Sequence, residues 1–449
     1  MALAGERTRS GLDVVWFLKV FAVALILIPA NLVVKPLGAN GAPAEILGWL
    51  ALVWWFNGRM LRNGGMAHGY QPIRIVVLLF VCAVFASYIA MALQPLTGLE
   101  VSAADRGVLL VLSCAGVALL GADGITSVER LESLMRFVVS LGVCMALIGI
   151  AQFFFAFDIA HYFHFVPLLK ENSALPYFFG GGAVRRVGGT ASHPIEFGVV
   201  LAFILPFAMR YAFDAPPGKR LVPFAKLGII VMALPMALSR SGALGAMAAI
   251  LVLVSTWSWE RRRTLLLLAP AFLVAMRAAA PGLLGSLFAL FASVRQDNSI
   301  KHRTNDYGLV GRFISEHPLF GRGFGTFLPK QYFLLDNQYL GTIIEMGFIG
   351  LTIVIALLVT GFFTARGARR MATNPAVRDF AQAFAASISV AIVSFATFDF
   401  LGFQMATGML FLMLGCAGAL WRISKENSAR SRTLQPVDAS HAFAGQSAP

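Results

Sequence analysis

Along this chain apolar residues run in blocks of about twenty, broken by polar or glycine-rich intervals. A helix of about twenty residues is roughly 30 Å long, enough to cross the hydrocarbon core of a bilayer. The blocks predict twelve helical spans, at about 14–34, 44–58, 75–93, 107–122, 135–156, 195–213, 224–239, 242–257, 264–280, 338–363, 379–398 and 405–421. The fold class expected is all-α: a polytopic membrane bundle of about twelve transmembrane helices, with a large outside loop before the tenth.

Two intervals break the rhythm of short connections. Residues 157–194 and 281–337 are longer than ordinary loops, and loops of that length are usually functional or disordered. Their aromatic and leucine content speaks for order. In the second, Gly282–Val294 reads as a helix lying at the interface, and Asp306–Ser315 sets Leu309 and Phe313 one turn apart with Arg312 beside them. The expected organisation is one membrane unit over residues 1–424, with 281–337 as an outside cap and 425–449 as a disordered tail rich in serine, alanine and glutamine. Arg7 and Arg9 precede the first apolar run, which is too long for a signal-peptide core and reads as a retained span.

Composition supports the membrane assignment. The chain is 58% hydrophobic and 13% charged, with a mean hydropathy of +0.75, whereas a soluble domain carries about 25% charged residues. The net charge of +14 does not point to nucleic acid, because most basic residues fall in alternate intervals at membrane edges. With both termini in the cytoplasm, the inside intervals collect most of the Lys and Arg, and the short outside loops are nearly free of them. Cys82, Cys114, Cys144 and Cys416 all lie in apolar runs and read as packing residues.

The candidate chemistry is arginine-rich. Arg185 and Arg186 sit between Gly180-Gly181-Gly182 and Gly188-Gly189, and Arg322 lies between Gly321 and Gly323, downstream of Arg312. Arg240 occupies the sequence SRSG between two apolar runs that leave it no long loop. An arginine at the membrane rim is costly unless paired, and guanidinium binds phosphate oxygens bidentately. Such a group suits a pyrophosphate ester, although pairing with lipid headgroups or with Glu196, Glu316 and Glu345 is the competing reading. Asp336, at the mouth of the tenth span, could take a proton from an incoming hydroxyl or simply cap the helix that follows. His193 and His317 each precede a proline and read first as turn residues. His161 and His164 form an H-x-x-H pair with no third ligand at useful spacing, so no metal site is expected. No nucleotide loop, nucleophile elbow or Asp-x-Asp motif is present, and no cofactor is expected.

Four motifs in order carry a resemblance: Arg186–Gly198 (RVGGTASHPIEFG), Ala237–Ala243 (ALSRSGA), Gly311–Phe327 (GRFISEHPLFGRGFGTF) and Asp336–Leu351 (DNQYLGTIIEMGFIGL). Together they resemble the O-antigen ligase and Wzy-type polymerase superfamily, over about residues 185–352. The resemblance implies a metal-independent glycosyltransferase of the inner membrane that uses an undecaprenyl-pyrophosphate-linked glycan on the periplasmic side. It maps the basic residues of the family motifs onto Arg186, Arg240 and Arg312, and Arg312 with Gly323 fits the Arg-x10-Gly spacing of the polymerases. One departure stands out. Where the ligases usually carry His before Asn-x-Tyr-Leu, this chain has Asp336.

The function expected is polymerisation of a cell-surface polysaccharide, with a lipid-linked repeat unit as acceptor. Asp336 and Arg312 are the catalytic candidates, and Arg186, Arg240, Arg312 and Arg322 the pyrophosphate-binding ones, with His193, His317 and Arg185 as further possibilities. A ligase that moves the glycan to lipid A-core is the alternative, and a lipid-linked oligosaccharide transporter a more distant one. Expected partners are the lipid-linked glycan, the bilayer, and flippase and chain-length regulator proteins, with no nucleic acid.

Overall fold

The computed structural model describes residues 13–35, 41–61, 65–156, 168–172, 185–292 and 310–433. Among them run α1 (Val14–Ile26), α2 (Pro43–Met60), α3 (Pro72–Met91), α4 (Gly98–Gly124), α5 (Val128–Phe155), α6 (Pro194–Phe213), α7 (Leu221–Met236), α8 (Arg240–Val254), α9 (Trp259–Ala279), α10 (Leu283–Ala292), α11 (Gln338–Met371), α12 (Pro375–Ser394) and α13 (Gln404–Thr433). A helix falls in each of the twelve expected intervals. Among the described residues, seven helices are long and apolar enough to cross a membrane: α3, α4, α5, α6, α11, α12 and α13. The bent pair α9–α10 makes eight if counted as one span, while α1, α7 and α8 are shorter apolar helices.

Local sequence explains where helices start. Pro72, Pro194 and Pro375 open α3, α6 and α12, where a missing N–H costs nothing. Thr97 and Glu100 form a reciprocal capping box at α4. Asn337 and Asn374 cap α11 and α12 with their side chains.

Several expectations are corrected. The first apolar run is not one helix to Val34. Pro29 disfavours helical backbone at Ile28 and lacks a donor, so α1 ends at Ile26 and Leu32–Val34 forms a strand, β1. It pairs antiparallel with β2 (Leu169–Glu171), Val33 opposite Lys170, so the fold is mostly helical with a two-stranded sheet. The tail expected to be disordered from residue 425 continues α13 to Thr433. The segment expected to lie at the interface corresponds to α10, which turns 110° away from α9 and exposes Phe288 and Phe291. Residues 310–316 are helical, but Leu309, His161 and His164 lie outside the described residues.

The core is helix on helix through small residues, the usual device where lipid supplies no hydrophobic drive. Gly198 of α6 faces Gly242 of α8, and Gly48 of α2 sits against Ser113 of α4. A Cβ on Gly415 of α13 would stand 2.6 Å from the Ala118 carbonyl of α4. One end of the bundle holds ion pairs: Arg210 with Glu132 (3.1 Å), Arg261 with Asp214 (2.9 Å) and Asp379 (3.0 Å), and Arg74 with Asp123 (2.8 Å). The opposite end carries the sheet, the 185–193 loop and the 318–336 segment.

No interrupted helix is expected from the sequence, yet α11 breaks at Gly347 (φ 64°). Residues 318–325 roof the break. Arg322 N–H donates to the Ile344 carbonyl (2.9 Å) and Gly323 N–H to that of Glu345 (2.9 Å), while Phe348 N–H donates to the Pro318 carbonyl (2.8 Å). Backbone groups freed by the break thus find protein partners, the condition for irregular backbone at membrane depth.

Candidate functional site

Four segments meet at the end of the bundle away from the ion-pair clusters. The first is the 185–193 loop, fixed from below by Gln152 of α5. Its amide accepts from Gly189 N–H (2.7 Å) and donates to the Gly189 carbonyl (2.8 Å). The second is the break between α7 and α8. There Leu238 takes a positive φ of 45°, a conformation that costs about 1–2 kcal/mol for a side-chain-bearing residue. The turn lets Ser239 cap α8 and makes Arg240 its first residue.

The 185–193 loop lies on this break: Val187 N–H donates to the Met236 carbonyl (3.3 Å) and Arg186 Nε to that of Ala237 (3.5 Å). The third segment is the approach to α11, with Asp336 two residues before Gln338. The fourth is the 395–403 turn joining α12 to α13. It clasps Gln338, whose N–H donates to the Phe395 carbonyl (2.7 Å) and whose side-chain oxygen accepts from Leu401 N–H (2.7 Å). Ser241 Oγ reaches the Thr397 carbonyl at 3.5 Å, and the His193 and Phe403 rings lie 6.0 Å apart.

Glu196 ties the last joint. One oxygen accepts from Ser192 N–H and Oγ (2.9 and 2.7 Å), the other from Met405 and Ala406 N–H (2.7 and 3.2 Å). The sequence reading offers Glu196 as a partner for arginine; the structure gives it to backbone donors of two segments.

Charge interactions link the residues that this packing collects. Burial holds the His193 imidazole down to about 4; the Arg186 guanidinium pushes the same way, and Asp336 opposes. The ring is therefore neutral at pH 7. Its Nδ1 accepts from Ile195 N–H (3.1 Å), which assigns the remaining proton to Nε2. Burial raises the Asp399 carboxyl to about 6, against a hydrogen bond from Gly402 N–H and with the help of Asp336. Asp399 is nevertheless accessible to solvent. Burial also lowers the Arg186 guanidinium. Arg186, His193, Asp336 and Asp399 form one electrostatic group, with Arg240 three residues beyond the carbonyl that Arg186 contacts.

The N-termini of α6, α8, α11 and α13 all open toward this group. Each carries the positive end of a helix dipole, a setting that favours an anion. Arg240 at the start of α8 opposes that dipole, and a bound anion relieves the repulsion.

The other sequence candidates stand apart from this group. Arg185 Nη1 donates to the Gln152 and Phe153 carbonyls (3.1 and 3.4 Å), capping the end of α5. Arg322 pairs with Glu100 (3.0 Å) under the ring of Tyr332 and fastens the cap to α4. His317 lies in the turn after residues 310–316, its carbonyl accepting from Gly321 N–H (3.1 Å). Arg312 is 80% exposed and faces Glu316 at 3.4 Å, as the pairing reading anticipates. Its short helix packs through Val310 with Leu335, the residue before Asp336. Asp399 escapes the sequence reading. Its signal is faint: a lone acid in ATFDFLG between the last two apolar runs.

These features define a multi-pass membrane protein with an anion-favouring, carboxylate-bearing cleft at one end of its bundle. Residues 225–355 match the family model described as O-Antigen ligase. That segment holds Arg240, Arg312 and Asp336, and the match agrees with the O-antigen ligase and Wzy-type resemblance of the motifs. No curated protein matches the chain.

Proposed function

We propose that the protein is a membrane glycosyltransferase that extends a cell-surface polysaccharide. It transfers a glycan from undecaprenyl pyrophosphate to a lipid-linked repeat unit on the periplasmic side of the inner membrane, with both termini in the cytoplasm. The observation that carries this reading is the meeting of Asp336 and Asp399 with Arg186 and four helix N-termini in one cleft.

In this mechanism the acceptor hydroxyl lies between the two carboxylates. Asp336 takes its proton as the oxygen attacks the anomeric carbon. The glycosidic C–O bond breaks and the electron pair leaves on the lipid pyrophosphate. Arg186 and Arg240 hold the diphosphate and stabilise its growing charge; Arg312 closes on it. His193 offers its Nε2 proton to a diphosphate or sugar oxygen. Flippase and chain-length regulator proteins would supply substrate and set product length.

A ligase that passes the same glycan to lipid A-core shares every step up to the acceptor, and the family match favours it as the second reading. Asp336, where the ligases usually carry His, favours the polymerase. Reconstitution separates them. The protein in nanodiscs, given only the lipid-linked repeat unit and a chelator, yields a ladder of lengthening glycans if it is a polymerase. Transfer that appears only when a core-lipid acceptor is added makes it a ligase. With no transfer in either case, the glycosyltransferase reading fails.

A further inference from the structure

At the end of the bundle that carries the ion-pair clusters, α1, α5, α6 and α7 border a cavity of about 430 Å³. Two ammonium groups enter it from different helices. Lys19 Nζ of α1 donates to Ser133 Oγ of α5 at 2.7 Å, and Lys226 Nζ of α7 donates to Ser140 Oγ of α5 at 2.8 Å. Arg136 closes the same wall, its guanidinium 4.4 Å from the centre of the Tyr211 ring. Phe137 and Pro223 supply apolar surface beside these charges.

Several neighbouring cations have counter-ions, among them Arg136 in the same cavity wall, which reaches Glu132 at 2.9 Å. Arg210, Arg261 and Arg369 each reach a carboxylate within 3.3 Å. Lys19 and Lys226 instead meet only serine hydroxyls among the described polar contacts. A hydroxyl dipole does not neutralise an ammonium, and half-buried charge in a membrane helix is expensive without a counter-ion. Both lysines lie five residues into their helices, about 7–8 Å along the axis from the first residue. That is between one and two helical turns from the helix start. The mouth carries exposed Leu221 and Val222 at the start of α7, an apolar path beside the charged pocket.

We propose that this cavity binds the phosphate group of an anionic amphiphile, with Lys19 and Lys226 clasping the phosphate and Ser133 and Ser140 completing its hydrogen bonds. Basic pockets between membrane helices take up anionic headgroups in this way, and the volume falls in the range of small-molecule sites. The site is separate from the Asp336 cleft and independent of the reaction assigned to it. A phospholipid headgroup supplies the required chemistry; so does a free phosphate compound.

The test uses the full chain in neutral detergent, offered equal amounts of phosphatidylglycerol and phosphatidylcholine, with bound lipid counted by native mass spectrometry. The wild type retains phosphatidylglycerol in preference to phosphatidylcholine by about thirtyfold. K19Q/K226Q loses that preference, K19R/K226R keeps it, and K425Q, on α13 and outside the cavity lining, matches wild type. Competition with inorganic phosphate separates the sources: displacement assigns the cavity to a free phosphate compound, persistence to the lipid. Equal retention of both lipids by the wild type, with no phosphate effect, overturns the proposal. So does an undiminished preference in K19Q/K226Q. Should that double variant fail to fold, the K19Q and K226Q single variants carry the test, each weakening the preference by about fivefold.

Discussion

Gly321 lies directly on the backbone of Glu345, where a Cβ would stand 2.2 Å from the Glu345 carbonyl carbon. The contact is possible because Gly321 takes a positive φ of 73° and α11 breaks two residues after Glu345. Gly321→Ala therefore meets two penalties, a steric clash and a disfavoured backbone. Together they are expected to lower stability by about 2–4 kcal/mol. Thermal unfolding in detergent checks this, and Gly311→Ala, whose Cβ meets nothing within 4 Å, is the matched control.

Asp336→Asn keeps the shape of the side chain and removes its proton acceptance. It is expected to slow transfer by about 10²–10⁴-fold with donor binding intact, the range of general-base catalysis. Arg186→Lys is expected to act on the other substrate, weakening donor binding because the planar fork is lost although the charge remains. Initial rates measured against donor concentration tell the two apart.

Two groups in the cleft pull stability in opposite directions with pH. Asp399 is raised to about 6 from an ordinary 3.8, so the folded state holds its proton more tightly and stability falls as pH rises from about 4 to 6. His193 is lowered to about 4 from 6.5, so stability rises across that window and is fully present above 6.5. The wild type should show a shallow dependence between pH 4 and 6. Asp399→Asn should make it steeper, with stability climbing as pH rises. Transfer should increase through pH 6 in the wild type, as Asp399 ionises and accepts a hydrogen bond from the acceptor hydroxyl, and lose that limb in Asp399→Asn. A pH series of melting curves and initial rates reads both.

Glu196→Ala strands four donors, among them Met405 and Ala406 N–H at the start of α13. A loss of about 1–3 kcal/mol is expected for each donor left buried without an acceptor. Glu196→Gln retains an acceptor oxygen and should lose less. Melting temperatures of the two variants against wild type decide the order.

Much of this architecture was legible in the residue pattern. Blocks of about twenty apolar residues correspond to the long helices, although the helices expected from 75 and 379 begin earlier, at Pro72 and Pro375. The end of α1 was harder to see because hydropathy continues through Leu32–Val34 while Pro29 alone changes the backbone. Arg186 and Asp336 stood out because charge is rare in such a chain. Asp399 did not, since its role comes from the 395–403 turn folding over Gln338, a contact spanning some sixty positions. At Arg322 the glycine neighbours that suit an anion also serve the close approach to α11, and its partner Glu100 lies 222 residues away in sequence.

The seam between residues 318–325 and the broken α11 also joins two levels of the molecule into one cooperative unit. Lifting the outer segment would strip partners from Ile344, Glu345 and Phe348 at once, each at about 1–3 kcal/mol when buried. The amides of Arg322, Gly323 and Phe348 should then exchange with solvent deuterium at a common slow rate, set by a single opening event.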